Sequence, residues 1–327
     1  MPSETVGSSG TTRRGKYATL LDPALWAYID GINAWYPPET IDLPIAKQRA
    51  IYDRMCRALR QPYPPGVTAS DGLIAAPGRD IAVRQYRMAG TAARATVLYY
   101  HGGGFILGGL DSHDDICAEI CAGTGFAVLS VDYRLAPEHL HPAAFDDALA
   151  AFEWAAATNG PLLLCGESAG GNLAAAISHA TRAHAKRPTG QVLIYPGLGG
   201  DETARSYIEH AEAPLLSVGD IAFYRDVRSA KRQAPDDPTF SPLRAADFSG
   251  LPPTVVITAE CDPLSSDGEA YRDRILAAGG RASWHEEKRL VHSFLRARTT
   301  VPVAAEAFRR IIAAIAALGA GEWPVEC

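Results

Sequence analysis

Ser168 stands where a hydroxyl can be turned into a nucleophile. It lies in Leu162-Leu163-Leu164-Cys165-Gly166-Glu167-Ser168-Ala169-Gly170-Gly171-Asn172. The apolar run before it reads as a buried strand, and the Ala-rich stretch from Leu173 to Ala185 reads as a helix. Turning from strand to helix within so few residues strains the central one, and only small neighbours such as Gly166 and Gly170 permit it. Two glycines around a serine recur by chance, and the plainer alternative is a glycine-rich turn opening a helix. The rest of the chain must therefore supply the other groups.

A serine hydroxyl needs a base within hydrogen-bond reach, and the base needs a carboxylate to orient it. In an elbow of this kind the order along the chain is serine, acid, histidine. Five of the nine histidines follow Ser168, and only His285 and His292 follow the apolar strand 254–258. His285 falls inside the next strand, 282–286, as a structural histidine. His292, in Leu290-Val291-His292-Ser293-Phe294, falls on the loop beyond and is the expected base. For the acid, Glu260, Asp262 and Asp267 all lie past strand 254–258. Asp262 stands in the turn itself, with Pro263 favouring an extended backbone there. Asp267 is read as the cap of the following helix.

Acyl transfer also needs backbone N–H groups aimed at the developing oxyanion. His101-Gly102-Gly103-Gly104 directly follows the strand 96–100 and offers them. Gly103, Gly104 and the N–H of Ala169 are the expected oxyanion-hole donors, with His101 bracing the loop.

These groups require a frame. Continuous apolar runs at 96–100, 127–131, 162–165, 192–195 and 254–258 alternate with helical patterns at 111–123, 143–157, 173–185, 266–278 and 303–318. Such alternation means an α/β fold, a mostly parallel sheet between helices with ligands outside the strands' carboxyl ends. A hairpin precedes it, 72–76 and 81–86 around Pro77-Gly78. Residues 17–65, with helices after Asp22-Pro23 and through Ile45, Tyr52, Met55 and Leu59, do not share the alternation. Nor does the polar stretch 199–250, with Pro214, Pro235, Pro238 and Pro242 and one helix after Ser217. We expect 1–16 to be a disordered leader, 17–65 N-terminal cap helices, 66–198 and 251–327 the core, and 199–250 a cap insertion. The alternative is that both outlying segments are merely long surface connections.

Composition narrows the function classes. Apolar residues are 47% and charged residues 21% of the 327, which suits a folded globular chain and excludes wholesale disorder. A net charge of −6 offers no basic surface to nucleic acid or anionic membrane. A small neutral substrate fits better. No stretch reaches the roughly 20 apolar residues of a membrane span, and Arg13-Arg14 is followed by Lys16, Asp22 and Asp30 where an export signal requires an apolar region. Six cysteines without regular spacing point to a reducing cytoplasm. His113, Cys117 and Cys121 share metal-ligand spacing on one helical face, but are read as buried structural residues.

Taken together, His101-Gly102-Gly103-Gly104-Phe105, Asp132-Tyr133-Arg134-Leu135-Ala136-Pro137-Glu138, Gly166-Glu167-Ser168-Ala169-Gly170-Gly171-Asn172, Asp262-Pro263-Leu264 and His292-Ser293-Phe294 resemble the hormone-sensitive-lipase family of α/β-hydrolases, the bacterial type IV esterases. The resemblance covers about 72–318. It implies an eight-stranded core under a helical cap, and carboxylic ester hydrolysis with no cofactor and no metal. It matches Ser168, Asp262 and His292 to the family's triad, and makes Arg134 and Glu138 structural. Two positions depart from the pattern: Glu167 replaces the usual Asp before the nucleophile, and Ser293 the usual Gly after the base. Among the aromatics, Trp35, Phe105 and Tyr195 are the expected substrate-binding residues, suited to short or medium acyl chains. The same triad would serve a deacetylase or a lactone hydrolase of a natural product. A small-molecule receptor on a dead hydrolase is disfavoured, because no triad group is missing. Partners are therefore a small ester, neither nucleic acid nor membrane, with a homodimer left open.

Overall fold

The computed structural model describes residues 15–157, 160–232 and 236–324. The expected leader, apart from Gly15 and Lys16, lies outside the described residues, as does Pro235.

A four-residue helix α1 (Tyr17–Leu20) precedes α2 (Pro23–Trp35) and α3 (Ile45–Leu59). Asp22 caps α2 by accepting from the Leu25 N–H at 2.8 Å, with Pro23 in the first turn. Next comes the hairpin β1 (Val67–Ala76) and β2 (Arg79–Met88), longer than the expected 72–76 and 81–86. The added pairs, such as Ser70 with Gln85 and Asp71 with Arg84, are polar and largely exposed. Apolar runs mark an edge strand only where its residues are apolar, not along its whole paired length.

The core then alternates: β3 (Thr96–Tyr100), α4 (Asp114–Thr124), β4 (Ala127–Val131), α5 (Ala143–Ala156), β5 (Leu162–Glu167), α6 (Ala169–Thr181) and β6 (Gly190–Ile194). Two helices, α7 (Arg205–Glu209) and α8 (Val218–Ser229), interrupt it before β7 (Thr254–Cys261), α9 (Ser265–Ala277), β8 (Ala282–Val291) and α10 (Pro302–Gly319). The strand order is β1-β2-β4-β3-β5-β6-β7-β8. Pairing is parallel from β4 through β8 and antiparallel at β1-β2 and β2-β4. Every residue of β4, β5 and β6 is buried, as strands covered on both faces require.

Each face of the sheet carries its own core. One packs Ile116, Ile120, Phe308, Ile311 and Ile315 of α4 and α10 against the sheet, and includes Cys117 and Cys121. The other packs Ala148, Phe152, Ala174, Ile177, Tyr271 and Ile275 of α5, α6 and α9. The two cysteines that share His113's helical face are thus core residues. No cluster of three His, Cys, Asp or Glu side chains suited to a metal occurs among the described residues. No helix among them is long and apolar enough to cross a membrane.

The segments outside these layers are tied to the core by specific contacts. Arg49 of α3 donates to the carbonyls of Ile106 and Ala136, both at 2.7 Å, and to both oxygens of Glu138 at 2.9 and 2.7 Å. Within the core itself, Arg134 holds the Asp147 carboxylate at 2.8 Å. Two expectations are corrected. Helix α6 starts at Ala169, one turn before Leu173, because the strand-to-helix turn is a single residue. Asp267 does not cap α9: Leu264 holds that position, and Asp267 lies in the first turn. Its carboxylate accepts from the N–H of Leu198 at 2.7 Å and of Gly200 at 3.3 Å, and from the Tyr207 hydroxyl at 3.1 Å.

Candidate active site

Ser168 is the lone residue between β5 and α6, at φ 55° and ψ −118°, a strained backbone for a side chain to hold. It is tolerated because the helix closes tightly behind it. A Cβ on Gly170 would collide with the Tyr100 carbonyl of β3, so only glycine lets α6 approach that strand. The Ser168 N–H in turn donates to the Ile194 carbonyl at 2.9 Å.

Strand pairing brings the base and acid together. Beyond a bulge between Ala259 and Cys261, Cys261 of β7 pairs with Val291 of β8. Asp262 and His292 are the next residues on each strand, so they leave the sheet edge side by side. His292 Nδ1 lies 2.7 Å from Asp262 Oδ2, and His292 Nε2 lies 2.9 Å from Ser168 Oγ. Asp262 is fully buried, and its Oδ1 accepts from the Leu264 N–H at 2.9 Å. Tyr195 leans its ring on His292 at 4.7 Å between centroids, backed by Phe294 at 5.0 Å. His285 points elsewhere, 3.6 Å from Glu287.

The glycine loop enters by the same logic. Tyr100 of β3 pairs with Gly166 of β5, so the loop that follows β3 runs beside Glu167 and Ser168. Gly103 at φ 119° and Gly104 at φ 62° take left-handed backbones. The Gly103 carbonyl is turned away to accept from the Ile106 and Leu107 N–H groups. No backbone acceptor is met by the Gly103 or Gly104 N–H among the described residues. The Ala169 N–H, in the first turn of α6, is an intrinsic orphan of the helix end.

The departure at Glu167 has a definite structural role. One carboxylate oxygen accepts from the Gly102 N–H at 2.6 Å and from His113 Nε2 at 2.7 Å. Burial alone would raise this carboxyl, but His113 above all, then His292 and Arg296, hold it down to about 2. It is therefore a buried anion that ties the glycine loop to the residue preceding the nucleophile. Such a charge-assisted bond is worth about 1.5–3 kcal/mol. His113, noted in the sequence only for its spacing with two cysteines, thus belongs to this brace. Ser112 Oγ at 2.8 Å satisfies its Nδ1, and Arg296 donates to the Ser112 carbonyl at 2.8 Å. On the other side of the loop, Tyr133 stacks on His101 at 4.3 Å and donates to its carbonyl at 2.6 Å. Burial above all, with the His113 imidazole beside it, pushes His101 down to about 3, so it stays neutral and holds the Gly102 carbonyl at 2.8 Å.

Ser293 also departs without displacing a functional group. It adopts the left-handed conformation at φ 63° and ψ 23°, which glycine takes freely and serine at a cost.

Above these groups lies a cavity of about 710 Å³, lined by Gly103, Gly104, Phe105, Ser168, Ala169, Tyr195 and His292. Its far walls come from the two outlying segments, including Trp26, Tyr36 and Tyr52 on one side and Tyr224 and Arg228 on the other. Trp35 is not part of it. It is 46% exposed, because the buried face of α2 runs through Leu25, Trp26, Ile29 and Ile32 and leaves Trp35 outside. The next residue, Tyr36, lines the cavity instead. Nothing in the local pattern around Tyr224 and Arg228 marked them in advance, since Gly104 and Phe105, which they meet, lie more than a hundred residues away in the chain.

Known proteins share this arrangement. A family model described by its alpha/beta hydrolase fold matches residues 97–296. The chain is 37% identical over 278 residues to the esterase LipI of Mycobacterium tuberculosis, spanning 81% of this chain and 87% of that one. It is 40% identical over 231 residues to the carboxylesterase NlhH of the same organism, 67% of this chain and 72% of that one. A hyperthermophilic esterase from the archaeon Pyrobaculum calidifontis superposes with a TM-score of 0.83 at 34% identity, covering 91% of this chain and 98% of that structure. The chain belongs to the α/β-hydrolase-fold family, in its hormone-sensitive-lipase-like group.

Proposed function

We propose that this chain is a serine carboxylesterase that hydrolyses short- to medium-chain carboxylic esters through an acyl-enzyme. The observation that carries the reading is the continuous hydrogen-bonded line from Asp262 through His292 to Ser168, 2.7 and 2.9 Å long in its two steps, at the floor of the cavity. His292 accepts the Ser168 proton at Nε2 while Asp262 holds Nδ1–H, fixing the productive tautomer. The alkoxide attacks the ester carbonyl, and the N–H groups of Gly103, Gly104 and Ala169 receive the oxyanion. His292 returns the proton to the leaving alcohol, then activates water against the acyl-enzyme. Phe105 and Tyr195 supply substrate contacts from the cavity wall, and the 710 Å³ volume suits a small ester.

In this reading residues 17–65 and 199–250 form the cap over a core of 66–198 and 251–327. The charged rim, with Glu202, Glu212, Asp220 and Arg225 on the cavity wall, favours a polar alcohol portion. That keeps deacetylation or lactone opening of a natural product as the second reading. A cytoplasmic setting is supported by five buried, unbridged cysteines among the described residues. The homodimer is part of the proposal and is read by light scattering.

The test is hydrolysis of p-nitrophenyl acetate and hexanoate, with fluorophosphonate labelling followed by intact mass. Wild type turns over and takes one adduct; Ser168→Ala takes none and loses at least about 10⁴-fold in kcat. A folded wild type that neither turns over nor labels defeats the proposal. Turnover lost in His292→Ala disposes of the receptor alternative.

A further inference from the structure

We infer that Arg228, on helix α8 of the insertion, is a positioning residue for the oxyanion hole, acting by clamping Phe105. This rests on the esterase reading above. Tyr224 and Arg228 lie four residues apart, so they share one face of α8. That face meets the glycine loop. The Tyr224 ring packs so closely on Gly104 that a Cβ there would collide with it. The Arg228 guanidinium lies 3.6 Å from the centroid of the Phe105 ring and 4.1 Å from that of Phe240. It is thus a cation held between two rings, and it is only 5% exposed.

Its polar edge is committed as well. Arg228 Nη1 donates to the Phe240 carbonyl at 3.1 Å. That same carbonyl accepts from Asn172 Nδ2 at 3.0 Å, and Asn172 stands one turn beyond Ser168 in α6. Arg228 Nη2 approaches His141 Nδ1 at 3.4 Å, and His141 Nε2 meets Asp237 at 3.1 Å. The charge of Asp237 therefore reaches the guanidinium through a ring and leaves it free to stack. The result is a bridge from the nucleophile's helix, through Phe240 and Arg228, to the residue that directly follows Gly103 and Gly104.

Phe105 needs such a hold. It sits at φ 66°, a left-handed backbone that a bulky residue keeps only when its surroundings impose it. Its carbonyl is fixed by the Ala136 N–H at 2.9 Å; its ring lies 6.4 Å from the Tyr133 ring on the core side and is gripped by Arg228 at 3.6 Å from the insertion side. Releasing the ring lets Phe105 relax toward an extended backbone, which rotates the two N–H groups just before it. Their aim governs the transition state far more than the bound ester.

The test compares Arg228→Met and Arg228→Lys with wild type on p-nitrophenyl acetate. It adds binding of an aryl trifluoromethyl ketone and of the matching secondary alcohol. The ketone adds reversibly to Ser168: the new C–O bond forms, the serine proton passes to His292, and the carbonyl oxygen becomes the oxyanion. The alcohol forms no adduct. Arg228→Met is expected to lower kcat about 10- to 100-fold with KM within about 2-fold. It should weaken the ketone by the same factor and leave the alcohol unchanged. Arg228→Lys should fall with it, because an ammonium cannot stack flat between two rings while reaching Phe240. A folded Arg228→Met with wild-type kcat and ketone affinity overturns the proposal, as does a rise in KM alone. If Arg228→Met loses its cooperative melt, Phe240→Leu opens the clamp from its far face, and wild-type kcat in that folded variant overturns it equally. A wild type without turnover or labelling defeats the esterase reading itself, which none of these variant outcomes does.

Discussion

Asp262→Asn isolates what the buried carboxylate contributes. Asp262 is fixed by two hydrogen bonds of opposite consequence: Oδ1 accepts from the Leu264 N–H at 2.9 Å and Oδ2 from His292 Nδ1–H at 2.7 Å. Only the amide oxygen of asparagine can keep the Leu264 bond. The amide NH₂ then faces His292 Nδ1 as a donor. The imidazole answers by moving its proton to Nε2, which points at Ser168 Oγ 2.9 Å away. A protonated Nε2 cannot accept the serine proton, so the side chains stay in place and the base is lost. In the serine-protease example of the same substitution kcat falls by about 10⁴. At about 1.4 kcal/mol per decade that corresponds to about 5.5 kcal/mol of transition-state stabilisation. Since neither atom touches the ester, KM should stay within about 3-fold, on the principle that the loss is confined to the transition state. Steady-state kinetics on p-nitrophenyl acetate, with a thermal melt to verify folding, measure both. A kcat within about tenfold of wild type would refute the tautomer argument.

Three further outcomes follow from particular side chains. Glu167→Ala strips the acceptor from the Gly102 N–H and His113 Nε2 at once. Two buried groups left unsatisfied cost about 1–3 kcal/mol each, so Tm and kcat should both drop, with Glu167→Gln intermediate; an unaltered kcat in a folded Ala variant would show that the loop needs no brace. Ser293→Gly relieves a left-handed serine and should gain about 0.5–1 kcal/mol in denaturant melts with kcat unchanged, whereas a loss would mean the serine is not strained. His179 packs edge-on to Phe248 at 4.8 Å, neither ring nitrogen has a hydrogen-bond partner among the described residues, and burial chiefly pushes it down to about 4. It is neutral in the fold, while the unfolded chain takes up a proton below 6.5, so its contribution to stability falls as pH drops from 6.5 toward 4. At pH 5 that amounts to about 2 kcal/mol. His179→Phe should gain about that much more over wild type at pH 5 than at pH 7.5, and an equal difference at both pH values would count against it.

The sequence disclosed those parts whose meaning is local. Ser168, the glycine loop, Asp262 and His292 each sit at a strand end in a short stretch of unusual chemistry, and strand order alone ranks the candidates. The β hairpin was legible only where its residues are apolar, because polar pairs such as Ser70 with Gln85 carry no period-two signal. Trp35 illustrates a different failure: an aromatic on a helix next to a site is drawn in or left out by 100° of rotation, and α2 turns it outward. Asp267 looks like a helix cap by position, yet its carboxylate reaches across to Leu198 and Gly200, some seventy residues earlier in the chain. The braces around the oxyanion loop were illegible for the same reason. Glu167 with Gly102 and Arg228 with Phe105 are contacts between distant segments, and no spacing rule announces a partner that folding alone brings near.

The pairing of Tyr100 with Gly166 makes activity a gauge of folding fidelity. Strand alignments are discrete: keeping the buried faces buried, β3 can slip past β5 only in steps of two residues, about 6.6 Å. One such step carries Gly103 and Gly104 out of hydrogen-bond range of anything attached to Ser168. No slipped species can be partly active. In a refolded sample the fraction of serines that react with a fluorophosphonate therefore counts the molecules whose sheet has formed in its native alignment. Turnover per reacted serine should stay constant however low the yield.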